Sequence, residues 1–364
     1  MRFPEFSGEW EFNELQKVAT LSKGTGISKD QLADSGHPCI LYGELYTKYK
    51  SEIIEEVYSK TQFDAANLVK SQTNDVIIPC SGEAAIEIAT ARCVLTPNIL
   101  LGGDLNIIRL NGHDGGFFAY QLNGKRKVDI AKVAQGVSVV HLYGEHLKKV
   151  KVAYPSLAEQ QKITSLLSLL DERIATQIKI IEKLESLIKG ICQELTQQGN
   201  PNIALNECLE CYSSTLQECA VQDTGSYPVY GATGVCGYTD APEVDGDSIL
   251  IIKDGASVGV TYYASGRYSA IGTLNRLVAK SDYSLRYLYY CLKVFNFAPY
   301  RTGLAIPHIY FRDYGKAQIW CPTIEEQNRI ANALEKVEQK IATEKSLLEQ
   351  LYYQKRFLLQ AMFI

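Results

Sequence analysis

The stretch Pro155-Ser156-Leu157-Ala158-Glu159-Gln160-Gln161-Lys162-Ile163 returns further along the chain as Pro322-Thr323-Ile324-Glu325-Glu326-Gln327-Asn328-Arg329-Ile330. The offset (322 − 155 = 167) holds without a gap, so residues 136–196 align on 303–363. Gly136 falls on Gly303, His141 on His308 and Tyr143 on Tyr310. The triplet Ile174-Ala175-Thr176 falls on Ile341-Ala342-Thr343. Self-similarity at a fixed period reveals architecture before any single residue does. A weaker match sets Phe12-Asn13-Glu14 against Leu205-Asn206-Glu207, where each globular segment begins. The chain reads as a duplication of domain, long helix, domain, long helix.

Each repeated stretch opens a helix. Ser156 and Thr323 are N-cap residue types, and Glu159 and Glu326 follow three residues later, the spacing of a capping box. Apolar residues then recur in heptads. One row is Ile163, Leu170, Leu184 and Ile191, with Gln177 in the middle, and the other is Leu167, Ile174, Ile181, Ile188 and Leu195. The second helix repeats this with Ile330, Val337, Glu344, Leu351 and Leu358, beside Leu334, Ile341, Leu348, Lys355 and Met362. Gln177 and Glu344 share one seam position; a polar residue there either fixes register or marks a layer facing solvent. Helices with such seams must pair, and the connectivity predicts antiparallel pairing.

The remaining segments are β-rich. Asp75-Val76-Ile77-Ile78-Pro79, Asp247-Ser248-Ile249-Leu250-Ile251-Ile252 and Gly259-Val260-Thr261-Tyr262-Tyr263 read as short strands, and residues 282–294 as a helix. The expected fold class is α+β. Two β-rich globular domains, residues 1–155 and 199–322, are separated by a central spacer helix, 156–198, and a C-terminal one, 323–364, in a pseudo-twofold repeat.

The 364 residues carry a net charge of −4, and no segment is a polycation, so any nucleic-acid partner must be met by local patches. The N-terminus has no signal-peptide run, and no apolar stretch is long enough to span a bilayer. The ten Cys therefore read as reduced residues of a cytoplasmic protein without membrane association. Cys208, Cys211, Cys219 and Cys236 start with a C-x-x-C but lack the second pair and a nearby His, which favours packing over zinc. There is no P-loop, no G-x-S-x-G and no Asn/Asp-Pro-Pro-aromatic motif. The run Gly231-Ala232-Thr233-Gly234-Val235-Cys236-Gly237 precedes polar turn residues and reads as a loop, not a dinucleotide fingerprint. No catalytic site, metal or cofactor is expected in this chain.

The opening Arg2-Phe3-Pro4-Glu5-Phe6-Ser7-Gly8-Glu9-Trp10 resembles that of type I restriction–modification specificity subunits. So does the doubled pattern of a glycine, His-x-Tyr, and Pro-x-x-x-Glu-Gln-x-x-Ile entering heptads. The resemblance covers essentially the whole chain. Gly102-Gly103-Asp104 and Pro79-Cys80-Ser81-Gly82-Glu83 are similar to loops of that family's first recognition domain. Tyr230-Gly231-Ala232-Thr233-Gly234 and Lys253-Asp254-Gly255-Ala256-Ser257-Val258-Gly259 are similar to loops of its second. The resemblance implies a non-catalytic subunit whose two domains each read half of a split double-stranded DNA target. It implies that the helices set the gap and dock two modification subunits, which bind S-adenosylmethionine and methylate adenine. Restriction subunits would add motor and nuclease.

Base edges are read by donors and acceptors on loops. In the first domain the candidates are Lys23, Thr25, Tyr42, Glu44, Tyr46, Thr47, Ser81 and Glu83; in the second, Tyr230, Thr233, Lys253, Asp254, Ser257, Asn275 and Arg276. For each, the competing reading is a loop group satisfied by water or its own backbone. His141 and His308 read as turn-closing residues. Two rival functions are a DNA enzyme built on such domains, for which the chain has no room, and a coiled-coil scaffold with two ligand-binding β domains that does not act on DNA.

Overall fold

The computed structural model describes residues 1–136, 139–303 and 305–364. It divides into two compact units, one of Met1–Ile178 with Ser346–Ile364 and one of Lys179–Lys345. Two helices, Leu157–Thr196 and Ile324–Ala361, account for the heptads, and each unit holds part of both.

In the first unit the central sheet runs in the order Ala19–Lys23, Leu105–Leu110, Asp75–Pro79, Arg92–Val94, Ile53–Ile54. Asp75–Pro79 is buried along its whole length, because both faces of the sheet are covered. Side chains alternate across a strand. Val76, Ile78 and Ile108 therefore pack with Phe117, Phe118 and Tyr120 of helix Gly115–Asn123 and with both long helices. The alternate residues Ile77, Leu105 and Ile107 pack with Ile40, Leu45 and Leu101, at and beside an outer four-stranded sheet.

The second unit repeats the plan. Its central sheet, Leu209–Ser213, Leu274–Ala279, Ser248–Ile252, Thr261–Ala264, has Ile249, Ile251 and Leu277 on the side of helix Leu285–Lys293 and the long helices. Leu250, Ile252 and Leu274 face Tyr268 and Ala270 of an outer sheet ordered Gly234–Thr239, Tyr227–Gly231, Arg267–Ala270, Val244–Asp245. The outer layers differ: the first unit's is Leu100–Leu101, His37–Ile40, Ser59–Thr61, Leu32–Ala33.

The long helices lie side by side within each unit. In the first, Ile163, Leu167, Leu170 and Ile174 share a core with Leu351, Leu358, Leu359 and Met362. In the second, Ile188 and Cys192 share one with Ile330, Leu334 and Ile341. The early part of one helix thus meets the late part of the other, an antiparallel arrangement. Gln177 and Glu344 are both buried, so neither seam position faces solvent. Near its end the first helix departs from the heptad: Cys192 and Thr196 are buried, while Ile191 and Leu195 are only half-buried. An undistorted helix drifts against a seven-residue repeat, and here it drifts by one position.

Several local expectations are corrected. Only half of each capping box forms. The Glu159 and Glu326 amides lie 3.4 Å from Ser156 Oγ and Thr323 Oγ1. The glutamate side chains turn instead to Arg2 and Arg329. The helical turns Leu15–Val18 and Leu205–Cys208 occupy equivalent places, so Leu205 answers to Leu15 and not to Phe12. The strand read from Gly259 begins at Thr261, because Gly259 has φ +92°. The glycine run 231–237 is a hairpin between two strands, not a loop.

The repeated glutamine has a definite task. Gln160 Nε2 donates to Pro155 O at 2.8 Å, and its Oε1 accepts from the Asp114 amide at 3.0 Å. Gln327 Nε2 donates to Pro322 O at 2.8 Å, and its Oε1 accepts from the Ser284 amide at 3.0 Å. Asp114 and Ser284 are the N-caps of the two domain helices. Each glutamine therefore ties the start of a long helix to the start of a domain helix.

Lys355, a cation on an apolar row, is explained by its surroundings. Its Nζ lies 2.5 Å from both Glu52 and Asp171, and Asp171 also accepts from Tyr120 Oη at 2.8 Å. Burial pushes the Tyr120 phenol far up, so it stays a donor. The Lys355 side chain is only 12% exposed. Lys355→Met would strand two buried carboxylates, and removing one partner of a buried pair typically costs about 3 kcal/mol. Thermal or urea unfolding of the whole chain should show a loss of that order; a loss under about 1 kcal/mol would mean that the pair is solvent-screened.

Candidate nucleic-acid interface

The first unit's candidate loops are drawn together by glycine. A Cβ on Gly24 would stand 2.0 Å from Gly102 O, so the two backbones approach too closely for any side chain. Thr25 N donates to Leu101 O at 3.1 Å, and Gly102 N donates to Ile40 O at 2.9 Å. Around this contact lies a groove of about 750 Å³ lined by Ile27, Lys29, Leu41, Tyr42, Thr47 and Asp104, among others. A smaller depression alongside is lined by Tyr42, Tyr46, Gly82, Glu83, Glu87 and Ile88.

The structure thus brings Tyr42, Tyr46 and Glu83 together, and Tyr42 with Thr47. Burial raises the Tyr46 phenol, which keeps it neutral as a donor. Lys23 is exposed at the end of its strand. Two candidates, Glu44 and Ser81, are buried, and Thr25 stays exposed with its hydroxyl in a hydrogen bond. Glu44 is buried: its Oε2 accepts from the Leu41 amide at 2.9 Å, its Oε1 accepts from Ser59 Oγ, and Lys48 pairs with it at 2.7 Å. Ser81 is buried beside Asp104, and Thr25 Oγ1 accepts from the Val69 amide at 3.0 Å. Lys29 was missed; it sits in a short helical turn whose only sequence mark is the Ser28…Gln31 cap.

In the second unit Thr233 stands exposed at the tip of the outer hairpin, and Tyr230 sits half-buried, edge-on to Tyr268 at 5.6 Å. Lys253, Asp254 and Ser257 lie on the turn after strand Ser248–Ile252, where Gly255 has φ +102°. Asp254 Oδ1 accepts from His308 Nδ1 at 2.6 Å. The pair expected to read guanine and adenine is split. Asn275 and Arg276 are neighbours on one strand, so their side chains leave opposite faces. Asn275 is buried, and its Oδ1 accepts from Ser213 Oγ at 3.0 Å. Arg276 is half-buried and lies 4.5 Å over the Tyr212 ring. Arg267 was missed: it lies 4.5 Å over the Tyr227 ring and donates to Tyr227 Oη at 2.6 Å. These stacked guanidiniums are held in place while their outer edges remain able to donate. They supply local positive charge to an acidic chain.

Burial pushes the Cys80 and Cys211 thiols up to about 11, so both stay protonated near neutrality. Among the described residues, no group of three or more His, Cys, Asp or Glu is placed to hold a metal. No described helix is long and apolar enough to cross a membrane.

The model of the type I restriction modification DNA specificity domain matches residues 7–186 and 210–353, one stretch over each repeat. The chain belongs to this family. Among solved structures it is similar to the S subunit of a type I restriction–modification system from M. genitalium. The TM-score is 0.66 at 18% identity, covering 100% of this chain and 99% of that one. It is also similar to a chain from a structure of complex assembly and conformational transition in the type I R-M system, at TM-score 0.60 and 15% identity. That match covers 98% of this chain and 97% of the other. Membership makes the chain a DNA-specificity subunit, and the likenesses establish that its fold is that of S subunits.

Gly24→Ala in this specificity subunit should force the two loops apart. A small-to-large change in so tight a place costs about 1–3 kcal/mol. Differential scanning calorimetry should show a clear drop in Tm. Gly8→Ala, with nothing within 4 Å of the added Cβ, should be silent. Equal Tm values would disprove the close approach.

Proposed function

We propose that this specificity subunit reads an asymmetric, split target on double-stranded DNA. Residues 1–155 act as the first target recognition domain and residues 199–322 as the second. The helices 156–198 and 323–364 set the unread gap and dock two modification subunits, which bind S-adenosylmethionine and perform the methylation. Restriction subunits join them for translocation and cleavage, and the assembly works in the cytoplasm. The chain itself is non-catalytic.

One observation carries this reading: two equivalent mounts bear unlike outer layers. The central sheets, domain helices and glutamine ties recur in both units, whereas the outer sheets share three strands but differ in the fourth, edge strand and in surface residues. A scaffold duplicated with its reading surface changed is what two different half-sites require. Tyr42, Tyr46, Thr47 and Glu83 are the proposed readers in the first domain, with Lys23 on the phosphates. Thr233, Lys253, Ser257 and Arg276 are their counterparts in the second, joined by Arg267. Tyr230 and Asp254 support them from behind. Arg276, a fork of donors, suits guanine O6 and N7.

The test is reconstitution. The purified chain with S-adenosylmethionine should transfer no methyl group to DNA. Adding the modification subunits should produce transfer, with two of them per chain by native mass spectrometry. DNA affinity of that assembly should fall steeply with salt. Methyl transfer by the isolated chain, or salt-insensitive binding, would contradict the proposal.

A further inference from the structure

An internal duplication lets one chain serve as its own comparison. Residues that read different half-sites must differ between the units. Exposed residues that stay alike serve something common to both. One exposed cluster stays alike. His141 and Tyr143 stack with ring centroids 6.1 Å apart, and His308 and Tyr310 with centroids 6.5 Å apart. Tyr143 and Tyr310 are 45% and 44% exposed, so the core does not hold them in place.

The described backbone beneath is alike at matching positions in both units. Gly136 and Gly303 have φ +122° and +90°, and a Cβ on either would strike the carbonyl of Val139 or Ile306. Gln135 pairs with His141, and Thr302 with His308, closing each loop. Val139 and Ile306 then stand on equivalent parts of the loop, 52% and 57% exposed.

Both loops are fastened to candidate reading loops. His141 pairs with Ser81, and the Leu142 amide donates to Cys80 O at 2.7 Å. The Ile309 amide donates to Lys253 O, and the Gly255 amide to Pro307 O, each at 2.9 Å. A nitrogen-bearing side chain flanks each tyrosine from a different position: His146, whose Nδ1 lies 3.1 Å from Val133 O, is edge-on to Tyr143 at 5.7 Å, and the Arg312 guanidinium lies 4.9 Å over Tyr310.

We propose that these two His-x-Tyr loops are matched clamps on the DNA sugar–phosphate backbone, one per half-site. The proposal rests on the DNA-reading role above. A tyrosine hydroxyl beside imidazole or guanidinium donors suits a phosphate oxygen, and an exposed valine or isoleucine suits the apolar face of a deoxyribose. Phosphates and sugars are the same whatever the bases, which accounts for a cluster that is repeated while its neighbours diverge. Asp254, which accepts from His308, orients that ring rather than meeting the phosphate.

The experiment uses the chain assembled with its modification subunits. Double variants H141A/Y143A and H308A/Y310A are titrated with cognate and unrelated duplexes over a range of salt. Each should weaken both duplexes by one common factor, about three- to tenfold, with the log–log salt slope little changed, because neither a tyrosine nor a neutral histidine releases a counterion. The methylated sequence should not change. Tyr143→Phe and Tyr310→Phe keep the rings and the fold, and should give a smaller but equally uniform loss. Unaltered affinity in all four variants would overturn the clamps. So would a loss confined to the cognate duplex, which would make the cluster a base reader, or a loss of bound modification subunit, which would make it a protein contact. If the wild-type assembly itself bound no DNA, the DNA-reading role would fail before the clamps were tested.

Discussion

A helix of forty residues with an apolar seam cannot stand alone in water. Fully burying one leucine or isoleucine contributes roughly 1.5–3 kcal/mol, and Ile163, Leu167, Leu170 and Ile174 are all buried in one unit. That burial needs a partner helix on one side and a sheet with its own helix on the other. Satisfying the seam therefore builds the unit. The central sheet is covered on both faces, and what remains free to vary is the outer layer and its loops.

The same constraint explains where charge meets the core, buried at Asp171 and half-exposed at Glu338. Tyr120 and Tyr290 each donate to a carboxylate on a long helix, Asp171 at 2.8 Å and Glu338 at 2.8 Å. A lysine completes each cluster, but from a different place: Lys355 comes from the second long helix, and Lys293 from the domain helix. The carboxylate and its phenol belong to the repeated plan, and the cation is a local solution. Gln160 and Gln327 add the angular constraint by fixing where each long helix leaves its domain. A reading surface mounted on this frame can change without disturbing it.

Much of this frame was legible in the chain. The offset of 167, the proline starts and the heptads came from spacing that packing itself imposes. Strands buried on both faces, such as Asp75–Pro79, announced themselves as unbroken aliphatic runs. Details that depend on tertiary partners were not legible. Glu159 looked like a capping-box acid, yet Arg2, far away in sequence, claims its carboxylate. Lys355 interrupts an apolar row, and only Glu52 and Asp171, brought beside it by the fold, account for the cation there. The site was read less well than the frame. Glu44 and Asn275 have the chemistry of base readers, but each is turned inward by a hydrogen bond to another segment. Arg267 carries no motif, and only its place over Tyr227 singles it out.

The proposed pair of unlike reading surfaces leads to one decisive observable, the pattern of methylated bases left on DNA when the chain is assembled with modification subunits. Single-molecule sequencing of DNA modified in its presence should return two different short sequences separated by a fixed number of unspecified base pairs. A single uninterrupted recognition sequence, or a palindrome with two identical halves, would contradict the account.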